Sequence, residues 1–168
     1  GFLIDYNQQM FIPDSESADM MLKRLELYKR LYTQIAEVQK VGLNNNRVAT
    51  ERNLLRTIDQ LENYLASSLD QDPLLLVNFS PEISDTEISE WKNKAINIID
   101  SKIRPTVSAY LDQLKTDHLP KGRGDDKCGI MWIDGGEESY LRSLRKYTGH
   151  KDTTVKEVHE IGLSEIER

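Results

Sequence analysis

A single cysteine, Cys128, stands among 168 residues. A lone thiol excludes an internal disulfide, so packing rather than covalent bridging must hold the chain together. Long apolar runs are missing as well; none approaches the ~20 residues that a membrane-spanning helix needs. Lysine and arginine, 22 in all, are scattered and outnumbered by 28 acidic residues, which leaves a formal charge of −6. That balance removes the electrostatic footprint of a DNA- or RNA-binding protein, and no basic amphipathic stretch of the membrane-surface type is present. Catalytic signatures are equally scarce. No serine occupies a Gly-x-Ser-x-Gly elbow, Cys128 has no histidine close in sequence to serve as its base, and His118 and His150 fall in or beside expected loops without ligand spacing. The expectation is a chain with no catalytic residue, no metal site and no cofactor of its own, and with neither nucleic acid nor membrane as a partner.

Hydrophobic residues make up 38% and charged residues 30% of the chain. This suits a soluble helical protein with solvated outer faces, long enough for one domain with a real core. No signal peptide is visible, and the first residue is Gly1 rather than Met. The chain therefore reads as a single helical domain or a cut fragment over 1–168, of unassigned compartment.

Residues 1–17 lack clear periodicity and form an irregular lead-in. From Ala18 to about Val41, Met21, Leu25, Tyr28, Leu31 or Tyr32, Ile35 and Val38 recur at helical steps. Ser15 and Ser17 are N-cap candidates, and Gly42 is placed to end the helix. Asn44-Asn45-Asn46 favours a turn, because asparagine tolerates the left-handed region. A second helix, about Val48 to Ser68 with Leu54, Ile58, Leu61 and Leu65 on its stripe, completes an antiparallel pair over 18–68. Leu74–Val77, bracketed by Pro73 and Pro81, reads as a buried loop or a single helical turn.

Ser84-x-x-Glu87 is a capping box. It opens the longest periodic segment, over 84–118: Ile88, Trp91, Ala95, Ile99, Ile103, Val107, Tyr110 and Leu114. Pro105 lies within it and predicts a kink near Ile103 or Arg104. Residues 119–136 read as loop, with Lys121–Lys127 polar, solvated and mobile. Cys128–Ile133 is the only plausible strand. Two helices over 137–168 close the chain, the last opened by a second capping box at Thr154-x-x-Glu157. The fold class is all-α, with about five helices including one long kinked member.

The residues singled out for function lie in the last third. Gly135-Gly136 precedes a helix and could present free backbone N–H groups to an anion, but Glu137 and Glu138 follow at once and favour the plainer reading of a tight turn. Tyr140, Leu141, Leu144 and Tyr147 are expected to face inward. On the last helix Val155, His159, Gly162 and Ile166 share a face that looks inward too, with Gly162 permitting close approach. His159 is there either a hydrogen-bonded structural residue or part of a cleft lining. His159-Glu160-Ile161-Gly162-Leu163 is half of a zinc-protease motif. The second histidine is replaced by Leu163, and one imidazole cannot make that site.

Gly135, Gly136, Glu137 and Tyr140, then Tyr147 and Thr148, then Thr154, Glu157, His159, Gly162 and Leu163 resemble a bacterial family catalogued as domain of unknown function 885. Its members carry a Gly-Gly-Glu-x-(Tyr)-Tyr segment and a Tyr-x-Thr run ending in Thr-Pro-Glu-Glu-x-His-x-Leu-Gly-Leu. Arg24-Leu25, the Val41-Gly42 turn and His118-Leu119-Pro120 fall where that family has comparable elements. Val155 departs from the family's proline, Ile161 from its leucine or glutamine, and Gly149-His150-Lys151 from its threonine-rich stretch.

That family resembles gluzincin metallopeptidases, which are largely helical with a deep cleft and a zinc-binding His-Glu-x-x-His helix. The resemblance implies that this chain is the amino-terminal helical part of a zinc-dependent peptidase-like hydrolase. It implies Gly135, Gly136, Tyr140, Tyr147 and His159 as substrate-lining residues, a peptide as substrate, zinc held elsewhere in the parent protein, and the remainder of the parent chain as partner. The faces of Tyr140–Tyr147 and of the last helix would then be partly bare, and dimerisation through them becomes possible. The rival reading is a non-enzymatic helical module that binds a protein through an apolar groove.

Overall fold

The computed structural model describes residues 10–168, so the lead-in expected over 1–17 falls outside the described residues as far as residue 9. The described residues are all-α apart from one two-stranded parallel sheet. In it β1 (Phe11–Ile12) pairs with β2 (Asn78–Phe79), Phe11 opposite Asn78 and Ile12 opposite Phe79. No strand forms at Cys128–Ile133, where the sequence predicted one. Ile130–Trp132 is a 3-10 turn with Met131 and Trp132 exposed. An apolar run too short to show a period can be either, and among the described residues no neighbouring strand offers it a ladder.

The first helix, α1 (Ser15–Asn44), starts earlier and runs further than its periodicity suggested. Asp14, rather than Ser15 or Ser17, is the N-cap, its carboxylate accepting from the Ser17 N–H at 2.8 Å. Gly42 lies inside the helix. A Cβ there would come 3.3 Å from the Arg47 carbonyl, and the Arg47 N–H donates to the Gly42 carbonyl at 2.8 Å. The left-handed residue is Asn46, with φ of 53°. Ala18, Met21, Leu25 and Tyr28 are buried, but Val38 is exposed. Over 30 residues the 3.6-residue period turns the inner face onto Gln39 and Leu43 instead.

The second helix, α2 (Glu51–Ala66), buries Leu54 and Ile58. The connection that follows makes two 3-10 turns, and in the second Leu74 and Leu75 are buried, as the proline-bracketed run implied. The Ser84 capping box then opens α3 (Asp85–Ile98). The helix does not stop there. It passes through a π turn at Ile99–Ile103 into α4 (Arg104–Gln113) and a second π turn at Leu114–His118. The first π turn lies where Pro105 predicted a kink. The Arg104 N–H reaches back five residues to the Ile99 carbonyl, an adjustment that lets a helix carry a proline without ending.

Trp91, Ala95, Ile99, Ile103, Val107, Tyr110 and Leu114 on this rod are all buried. They join two clusters. One centres on the first half of α1 with α3 and the first π turn, the other on Val48, Leu54, Ile58, Tyr110, Leu111 and Leu114 between α2 and the end of the rod. The Trp91 indole N–H donates to the Ala18 carbonyl at 2.9 Å and fixes α3 against α1. Beyond the rod come α5 (Gly136–Thr148) and α6 (Val155–Glu167), joined at Gly149 in the left-handed conformation. In α6 no residue is buried.

Candidate functional site

The arm formed by α5 and α6 is tied to the body through the loop before it. The Lys121–Lys127 stretch, expected to be merely solvated, is stitched to the connection between α1 and α2. The Glu51 N–H donates to the Arg123 carbonyl at 2.8 Å, and the Arg123 N–H to the Ala49 carbonyl at 3.1 Å. The Arg123 side chain crosses the loop, donating from Nε to the Val48 carbonyl at 2.7 Å and from the guanidinium to the carbonyls of Gly129, at 2.9 Å, and Lys127. An arginine with its donors on backbone carbonyls replaces a hydrophobic core in this stretch. Arg47 makes the next tie, donating from Nε to the Asp134 carbonyl at 3.0 Å.

Gly135 and Gly136 occupy the turn that this tie supports. Gly135 has φ of 68°, the left-handed region that an L side chain rarely adopts, and Gly136 is buried. A Cβ on Gly136 would lie 1.8 Å from the Ile130 carbonyl oxygen, so only glycine fits. The close approach of backbone to backbone accounts for this glycine pair.

Tyr140 and Tyr147 do not face inward. They are 45% and 85% exposed, while Leu141 and Leu144 turn halfway toward the body. His159 is exposed as well, as are Val155, Gly162 and Ile166 on the face that the pattern marked as inner. A Cβ on Gly162 would meet nothing within 4 Å, so no close approach needs that glycine. The physical reason is that the pattern marks an apolar face, and among the described residues no element packs onto it. Gly135 and Gly136 precede α5, Tyr140 and Tyr147 ride on it, and His159 rides on α6; no hydrogen bond or ring contact joins these five among the described residues.

Among the described residues no group of three His, Cys, Asp or Glu side chains could hold a metal. His150 and His159 lie exposed on the arm, and Leu163 stands where a second ligand of α6 would be needed. His118, expected in or beside a loop, is 4% exposed at the end of the rod. Its Nδ1 lies 3.2 Å from the Gln113 carbonyl, which can only accept, so Nδ1 carries the proton; Nε2 is buried without a hydrogen-bond partner.

A buried polar cluster in the body carried no signal in the sequence beyond an Asp-Pro pair. Asp72 is fully buried and its Oδ2 accepts from the Arg104 guanidinium at 3.1 Å, while its Oδ1 accepts from the Leu74 N–H at 3.1 Å. Arg104 also donates to the Ser67 carbonyl at 2.8 Å and lies 5.4 Å from the centre of the Tyr64 ring. Burial first, then the Asp72 carboxylate, pushes the Tyr64 phenol far above its ordinary value. Burial likewise raises Tyr28, Tyr32 and Tyr110. The two partners of the ion pair are 32 residues apart in sequence, and only the crossing of the connection over the rod brings them together.

Compared with known proteins, residues 2–168 match the family model described as bacterial protein of unknown function (DUF885). Neither the curated proteins nor the solved structures yield a match.

Proposed function

Because the chain belongs to the DUF885 family of bacterial proteins, we propose that it serves as a helical, cleft-lining portion of a zinc-dependent peptidase-like hydrolase. In this reading the zinc is held by residues outside these 168. When bound it would activate a water and polarise the scissile carbonyl. The residues of this chain bind and orient a peptide; Gly135 and Gly136 set the turn, and Tyr140, Tyr147 and His159 supply aromatic surface and hydrogen-bonding groups to a cleft wall.

One observation carries the proposal. Of the residues that resemble the family's motifs, Tyr140, Tyr147, His159 and Leu163 are exposed on the arm, together with Val155, Ile161 and Ile166, whereas Tyr28, Tyr110 and the apolar stripe of the rod are buried. Apolar surface left bare in a contiguous stretch is the mark of a binding or docking face.

The test has two arms. This polypeptide alone should hold no stoichiometric zinc by metal analysis and should hydrolyse no peptide; one tight zinc per chain would overturn the assignment. In the complete gene product, Tyr147→Phe and His159→Ala should each lower kcat/KM for peptide hydrolysis by about tenfold, the loss of one hydrogen bond to substrate, with zinc content unchanged. Unchanged kinetics in both variants, or a reading frame closing at Arg168, would return the chain to a non-enzymatic helical module.

A further inference from the structure

Between α1, α2 and the connection after α2 lies a cleft of about 640 Å³. It is within the range of small-molecule sites, and it is separate from the arm discussed above. Tyr32 from α1 and Tyr64 from α2 supply aromatic surface; Gln60, Asn63 and Gln71 stand around it. These three amide side chains are exposed and make no hydrogen bond among the described residues.

The charge of the site restricts its ligand. Among the described residues none that lines the cleft is charged. Asp72, behind Tyr64, is fully buried and consumed by Arg104. Among the described residues an incoming ammonium group would find no free carboxylate, and the Arg104 guanidinium already lies over the Tyr64 ring. Among the described residues an incoming anion would find no accessible cation, because the two terminal Arg104 nitrogens donate to Asp72 and Ser67 and its Nε is buried. Burial holds the Tyr32 and Tyr64 phenols in their neutral form, so they add no charge. The described lining thus favours an uncharged ligand.

A purely apolar ligand is disfavoured as well. It would desolvate three amides without replacing their hydrogen bonds. An extended peptide needs a strand edge to pair with, and the walls of this cleft are helices and 3-10 turns whose backbone groups are largely bonded internally. A sugar ring meets the remaining conditions. One of its faces is apolar and stacks on aromatic rings, and its hydroxyls both donate and accept, as carboxamides do.

We propose that the cleft binds a neutral saccharide, with ring faces against Tyr32 and Tyr64 and hydroxyls paired with Gln60, Asn63 and Gln71. The site requires no metal and does not depend on the peptidase reading of the arm.

Cellobiose and N,N′-diacetylchitobiose at up to ~10 mM, the weak end of specific binding, serve as probes. With at least one of them, saturation-transfer NMR should show magnetisation passing from tyrosine ring protons to sugar protons. Amide shifts along α2 and residues 67–74 should titrate with a millimolar Kd. Both substituted residues of Gln60→Ala/Asn63→Ala are exposed on α2, so the fold should be kept, as circular dichroism checks; binding should weaken at least about tenfold. No transfer with either sugar, binding unchanged in the folded double variant, or tighter binding of a neutral tripeptide would each overturn the proposal.

Discussion

Ile99, Ile103 and Val107 on the rod are at most 1% exposed, whereas Val155 and Ile166 on α6 are 43% and 83% exposed. Both sets recur at three- and four-residue steps on one helical face. The difference is what lies opposite. The rod runs between α1 and α2, and every turn of its apolar stripe meets side chains from one of them. The arm is anchored at its base by Arg47, Arg123 and the Gly135-Gly136 turn, and α6 extends from there with its stripe uncovered. A hydrophobic period establishes that a helix has an apolar face; it does not supply the surface that covers it.

The contrast can be broken by mutation, and the largest effect is expected at the buried ion pair. Asp72→Ala leaves the Arg104 guanidinium, with 13% of its side chain exposed, without its counter-ion. A loss of about 3–5 kcal/mol in denaturant unfolding is expected, typical of an uncompensated buried charge. Next comes the core. Ile103→Ala should cost ~2–5 kcal/mol, and Ile166→Ala should stay within ~0.5 kcal/mol. Equal costs at the two positions would mean that the α6 stripe is covered in solution, and the contrast would fail.

The two glycines of the arm sharpen the comparison within one region. Gly136→Ala drives a methyl group into the Ile130 carbonyl and should cost about 1–3 kcal/mol, read as loss of protection in amide exchange across α5. Gly162→Ala meets open space and should instead raise the helicity of α6 by ~0.5–1 kcal/mol.

Titration separates body from arm as well. Tyr28, Tyr32, Tyr64 and Tyr110 keep their protons in the folded state to higher pH than in the unfolded chain. Their contribution is complete below about pH 10 and is lost as pH rises beyond it, because the unfolded state releases protons first. Denaturation midpoints should fall through that alkaline range, and Tyr64→Phe should flatten the fall. On the arm the Glu157 carboxyl is held below its ordinary value by the backbone and hydroxyl of Thr154. That small contribution is present at neutral pH and disappears as pH drops through the carboxylate range. Thr154→Ala, expected to cost ~1 kcal/mol of local helix stability, should remove most of this dependence in circular dichroism.

Much of the body was legible before any coordinates. The eight-residue stripe of the long helix is buried except at Ile88, which is half-buried, and both capping boxes form as their spacing required. These features are local: a 3.6-residue period and a three-residue loop from side chain to backbone are completed within one helix. The candidate site was legible only in part. The glycine turn was readable from its two residues, but the outward aim of Tyr140, Tyr147 and His159 was not, since an apolar face looks the same whether covered or bare. The tyrosine cleft was invisible: Tyr32 showed only as a possible member of the α1 stripe, and nothing in the period of α2 singled out Tyr64.

By itself the sequence determined that this chain is helical, where its helices are capped, and which face of the rod is apolar. It also determined that no internal disulfide could stabilise it. Tertiary structure alone decided that Asp72 meets Arg104, that Arg123 threads the loop against Val48, and that the stripe of α6 stays bare. Each of these is a relation between segments far apart along the chain. Helical period and capping act over three or four residues, whereas burial and ion pairing depend on which distant surface arrives opposite.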